Sequence, residues 1–146
     1  MDRVKVRSRP KEASPSNRDV VLISPSFLKD IALDWATAKA DGQTPESRPE
    51  GVFVDGLLYR PRESWDACFA FVEAYSKQHG LVLDTLEKSA TFKLGTMVIG
   101  YTSSDARIAL CRALVGARLG DRVPVPLSIL QASEISEGTL YVEAQN

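Results

Sequence analysis

The chain is poor in the residue types that most often carry chemistry. It has one histidine, His79, and two cysteines, Cys68 and Cys111, and none of them is clustered. Without a CxxC spacing or a second histidine, zinc-ligand sets and dithiol redox motifs lose their support. Both thiols fall inside apolar helical patterns and read as reduced core residues. No GxSxG elbow, Cys-His arrangement or glycine-rich phosphate loop is present, so we expect no catalytic residue, no metal and no cofactor. Acid pairs such as Glu63 with Asp66 sit at helical spacing on what reads as a solvated face. Long apolar runs are missing as well. Nothing approaches the roughly 18 consecutive apolar residues that span a bilayer. The first 20 residues hold charge but lack the apolar segment of a secretory signal, so a cytoplasmic protein without a membrane partner is expected.

What is present suffices for one domain: 146 residues, 44% hydrophobic, can cover a core without staples. The net charge of −1 hides an asymmetry. Residues 1–18 hold Arg3, Lys5, Arg7, Arg9, Lys11 and Arg18 against Asp2 and Glu12, near +4, which leaves the remainder near −5. The leader is too polar to offset its ordering entropy and reads as a basic disordered tail, with residues 19–146 as a single α+β domain. An acidic body argues against a folded surface that tracks phosphates, whereas the tail could touch nucleic acid or an acidic partner.

Val20 to Ile23 form a short β-branched run, and Ser24-Pro25-Ser26 opens a first helix over about 25–41, with Phe27, Leu28, Ile31, Trp35 and Ala38 on its apolar face and Gly42 as its stop. Residues 43–50 carry two prolines and read as a surface loop. Around Asp55-Gly56, the Val52–Val54 and Leu57–Tyr59 runs fit a tight hairpin or one strand with a glycine irregularity, the hairpin being preferred. Trp65, Cys68, Phe69 and Val72 recur at helical spacing up to Gly80, and His79 in that last turn suits the negative end of the helix dipole. LVLDTL and TFKLGTMVIGYT read as two antiparallel strands. A third helix begins behind Thr102, Ser103 or Ser104 and runs to Leu119, where Gly120 ends it. Val123 to Pro126 is a proline-locked extended piece, and Thr139 to Val142 a last strand without an assignable partner. The expected fold is α+β, a small, mostly antiparallel sheet packed with about three helices.

Three separated pieces carry a family resemblance. Leu33-Asp34-Trp35-Ala36 with Ala38-Lys39-Ala40 is one; Tyr59, Pro61 and Trp65 are the second; Arg112 and Val115, then Arg118-Leu119-Gly120-Asp121, Val123, Val125 and Pro126, are the third. In order and spacing they resemble the NinX-like family of bacteriophage and prophage proteins, a family of unknown function. The resemblance implies a phage or prophage accessory protein in the host cytoplasm and supplies no catalytic residue. The apolar helix Asp66 to Tyr75 stands where that family has a Gly-Gly turn, and it either covers the core or forms a dimer seam.

Arg112 is the foremost candidate, because a helical wheel puts it beside Ile108, Val115 and Leu119. A guanidinium there needs a partner. Either a carboxylate, backbone carbonyls or a bound anion answers it, an internal ion pair with Asp34 or Asp121 being the foremost reading. Arg60 and Arg62 flank Pro61 beside Tyr59 and could take a phosphate or carboxylate, or remain solvated. Trp35 and Trp65 are expected in the core. The function expected is non-covalent binding, either blocking a host protein such as a defence component or sequestering a small anionic ligand. The alternative is nucleic-acid engagement through the basic tail and the Arg60/Arg62 corner.

Overall fold

A computed structural model describes residues 19–137. The elements run β1 (Val20–Ile23), a 3-10 turn (Pro25–Phe27), α1 (Asp30–Ala40), β2 (Glu46–Arg48), β3 (Gly51–Val54), β4 (Leu57–Leu58), a second 3-10 turn (Pro61–Glu63), α2 (Trp65–His79), β5 (Val82–Asp84), β6 (Ser89–Leu94), β7 (Met97–Thr102), α3 (Ala106–Leu119), β8 (Val123–Pro126) and α4 (Leu127–Glu137). The α+β class holds, with four helices among the described residues. The strands form three small antiparallel sheets rather than one: β1-β8, β2-β3-β4 and β5-β6-β7. The basic leader and the Thr139–Val142 segment lie outside the described residues. No described helix is long and apolar enough to cross a membrane.

The core is layered around two alanine-rich helices. α3 packs on β6 and β7 with one side and on α1 with the other, and α4 packs on α1. Small side chains make this close approach workable: Ala32, Ala36, Ala38 and Ala40 on α1 meet a third helix that buries Ala106, Ala109 and Ala113. α1 is therefore buried nearly all round, which the expected one-sided stripe did not anticipate. Trp35 is only half-buried, while the polar Thr37 is fully buried. Its hydroxyl is satisfied locally, donating to the Leu33 carbonyl at 2.7 Å.

The helix expected over 25–41 is broken. Ser24 caps a single 3-10 turn, its Oγ accepting from Ser26 N, and Leu28 and Lys29 are extended before α1 begins. The Asp55-Gly56 hairpin forms, both residues at positive φ (53° and 80°), as a tight mirror-image turn requires. Residues 46–48, read as loop, add an exposed strand to it. TFKLGTMVIGYT is two strands, not one, folding back at Gly95 (φ 64°). α3 is capped by Asp105 rather than by Thr102, Ser103 or Ser104: its Oδ1 accepts from Arg107 N at 2.8 Å. In β8, Val123 and Val125 point into the core, while Pro124 is exposed and Pro126 half-buried. A strand paired on one side alone tolerates those missing N–H groups.

Candidate functional site

The first two resemblance pieces meet at Asp34. This carboxylate is 1% exposed, and Arg62 Nε donates to its Oδ2 at 3.0 Å. Burial pushes the Asp34 pKa up from 3.8 to about 7, against the opposing pull of Arg62. Asp34 Oδ1 and the neighbouring Tyr59 hydroxyl are both buried without a hydrogen-bond partner among the described residues. Burial likewise holds the Tyr59 hydroxyl above its ordinary range. The two thiols adjoin each other here, and Cys68 Sγ donates to the Pro61 carbonyl at 3.3 Å. The Cys68 thiol and burial hold Cys111 well above the usual thiol range, so it is no nucleophile. Among the described residues no group of three His, Cys, Asp or Glu side chains could hold a metal.

Asp34 thus belongs to Arg62, not to Arg112. Arg112, half-buried between α3 and the start of α1, turns Nε and Nη2 onto the Leu28 carbonyl at 3.0 and 2.9 Å. The fork of one guanidinium spans two bonds to a single oxygen, pinning the extended break before α1 to α3. Asp121, the other expected partner, is exposed beyond the Gly120 cap.

The Arg60/Arg62 corner is not an open anion site. Glu63 lies against both arginines, 3.5 Å from Arg60 Nη1 and 2.9 Å from Arg62 Nη1, and Arg60 Nη2 also donates to the Glu50 carbonyl at 3.3 Å. A carboxylate already occupies the position an incoming phosphate would need, and the Tyr59 hydroxyl is turned inward. Trp65 is 38% exposed rather than in the core, stacked on the exposed Phe69 with ring centroids 5.6 Å apart and the Arg107 guanidinium 5.1 Å over its ring. Pro61 is buried under this turn.

The first and third pieces meet elsewhere, at a cavity of about 310 Å³ where α1, α2 and α3 all end. Lys39 and Arg118 stand at it as cations, His79 forms a wall, and Phe92 and Leu94 of β6 supply apolar lining. Arg118 is fixed by two contacts: Nε donates to the Ala40 carbonyl at 3.0 Å, and the guanidinium lies 5.4 Å from the Tyr75 ring centroid. The nearby Asp41 carboxylate is engaged by Tyr75, whose hydroxyl donates to its Oδ1 at 2.8 Å. Among the described residues no carboxylate lies within 4.0 Å of Lys39 or Arg118. The Lys39 ammonium is 5.8 Å from the Trp35 ring centroid, and the His79 ring stacks on Phe92 at 5.6 Å and 26°.

Two cations without carboxylate partners beside an apolar, partly aromatic wall can hold a small organic anion, and the volume lies at the lower end of ligand pockets, about 300 Å³ and upward. Sequence reasoning quoted Lys39 and Arg118 only as motif residues and His79 only as a helix-end residue. The available signal was that all three lie in the last turns of their helices. No protein-family model matches this chain, and no curated protein matches it either.

Proposed function

We propose that the protein is a phage or prophage accessory protein that works by non-covalent capture of a small organic anion in the cavity at the ends of α1, α2 and α3. The observation that carries the reading is the pair Lys39 and Arg118, both without a carboxylate partner among the described residues, lining a cavity that Phe92 and Leu94 make partly apolar. Cations in last turns also offset the negative ends of their helices, but that role needs no cavity between them. The phage context rests on the three resemblance pieces, two of which, through Lys39, Ala40, Arg118 and Leu119, supply half of the cavity lining. The nucleic-acid alternative loses its folded component, because Glu63 engages both Arg60 and Arg62.

The test is calorimetric titration at low salt with ribose 5-phosphate and inorganic phosphate. Ribose 5-phosphate binds the wild-type protein, and Lys39→Gln weakens it about tenfold or more, since a hydrogen bond to a charged group is worth roughly 1.5–3 kcal/mol. Lys39 is exposed, so the variant keeps its fold. Absence of binding by either anion, or binding indifferent to Lys39→Gln, refutes the reading.

A further inference from the structure

The cavity offers more than cations. The last carbonyls of α3, those of Ala117, Arg118 and Leu119, accept no hydrogen bond from the described residues, since Gly120 N takes the Gly116 carbonyl and the chain then turns away. The end of α1 is different: Thr37, Ala38 and Lys39 carbonyls accept from Asp41, Gln43 and Gly42, and the Ala40 carbonyl from Arg118. All three residues with open carbonyls line the cavity. An acceptor row of this kind satisfies N–H donors and repels a second anionic group. The His79 ring, half-buried and stacked on Phe92, lines the same cavity.

A ligand that meets all of these surfaces has an anionic end for Lys39 and Arg118, a flat ring for His79, and N–H donors for the end of α3. A plain sugar phosphate has hydroxyl donors but lacks the flat ring; an aromatic carboxylate has the ring but lacks the donors. Resting on the reading above that this cavity takes a small anion, we propose that the site where α1, α2 and α3 end binds a free nucleoside 5′-monophosphate with an amino-bearing base, its phosphate on Lys39 and Arg118 and its base against His79 under the open carbonyls of Ala117, Arg118 and Leu119. The cavity of about 310 Å³ is at the lower end of pockets that take one small ligand.

Calorimetry with AMP, ribose 5-phosphate and a 5′-phosphorylated oligonucleotide ending in the same nucleotide separates the terms. AMP binds at least tenfold more tightly than ribose 5-phosphate, and His79→Leu lowers the ratio of the two affinities. Equal affinity of AMP and ribose 5-phosphate overturns the nucleotide assignment and leaves anion capture standing. Failure of both to bind takes down anion capture as well. An oligonucleotide that binds as tightly as AMP overturns the free-nucleotide assignment in favour of a strand end. If His79→Leu lowers the melting temperature, AMP-induced shifts of the Leu94 and Leu119 methyl resonances in the wild-type protein supply the second readout; no shift at either refutes the placement.

Discussion

Asp34→Asn should abolish a pH dependence that the wild-type protein must show if burial governs this carboxylate. The folded-state pKa is about 7 against 3.8 for the free group, so folding favours the protonated form. Protonated Asp34 contributes stability that is fully present below pH 3.8. That contribution is lost as pH rises towards 7, because the unfolded chain ionises first and gains the advantage. At about 1.36 kcal/mol per pKa unit the whole effect is about 4 kcal/mol, of which roughly 2–3 kcal/mol falls between pH 5 and 7.5. For a domain of this size that is about 6–15 °C in melting temperature. The protonated acid also has an O–H with which to meet its unpaired surroundings, where Oδ1 and the Tyr59 hydroxyl otherwise stand without partners. Asparagine keeps an acceptor for Arg62 Nε and adds N–H donors but cannot ionise. Thermal unfolding followed by circular dichroism from pH 4.5 to 8 is the assay, with the variant as the control that subtracts every other titrating group. The starting point of pH 4.5 avoids Asp105, whose pKa is lowered by the Arg107 guanidinium and whose stabilising charge is lost only in acid. A wild-type slope equal to that of Asp34→Asn would refute the reasoning.

Arg62→Met removes the pull that holds the Asp34 pKa down, so its loss of stability continues to a higher pH than in the wild type; coincident pH profiles would contradict the Arg62 contact. Arg112→Met leaves the Leu28 carbonyl without its two donors and should cost about 1–3 kcal/mol in urea unfolding. A change below about 0.5 kcal/mol would show that the clasp carries no weight. Gly116→Ala improves helix propensity yet should destabilise by about 1–3 kcal/mol, because the added Cβ would stand 2.5 Å from the Tyr101 hydroxyl and 3.0 Å from its ring. A stabilised variant would mean that Tyr101 yields without cost. Arg60→Ala, whose contacts are to the Glu50 carbonyl and Glu63 in an exposed setting, should move the melting midpoint by less than the equivalent of about 0.5 kcal/mol.

The parts of the fold legible in the sequence are those set by backbone chemistry. Asp55-Gly56 and Gly80 sit at positive φ where few other residues are comfortable, and each marks a turn or a helix end that the structure contains. VPVP alternates with period two, and its valines are the buried pair. What escaped was set by tertiary neighbours. Ranking α1 by hydrophobicity favours Trp35 as its centre, whereas close helix packing selects its alanines and leaves the larger ring half outside. Trp65 follows the same logic: its helical spacing matches the buried Cys68, but α2 buries only Cys68 and Phe71, so a wide apolar pattern overstates the face that is covered. α4 was not expected: Leu127 to Glu137 follows the proline-locked piece and carries no element in the sequence reading; the burial of Ile129 and Leu130 and the packing on α1 give it a place.

The candidate site was harder to see, for an electrostatic reason. A cation in the last turn of a helix is explained by that helix alone, so Lys39, His79 and Arg118 each had a sufficient local account. Their joint effect exists only because three helix ends converge, with the bond from Arg118 to the Ala40 carbonyl bridging 78 positions of sequence. That bond also changes what the cations can do. It satisfies the one carbonyl at the end of α1 that no backbone N–H takes, so the negative end of α1 no longer competes for Lys39. Asp41, the nearest acidic residue in the chain, is drawn off by the Tyr75 hydroxyl. With both local sinks occupied, neither takes the Lys39 ammonium, and Lys39 and Arg118 line the cavity without a carboxylate partner among the described residues. Phenylalanine at position 75 would release Asp41 to pair with Lys39, and anion affinity should then fall although Tyr75 itself does not line the cavity. Unchanged affinity in Tyr75→Phe would mean that the two cations are not kept available by this arrangement.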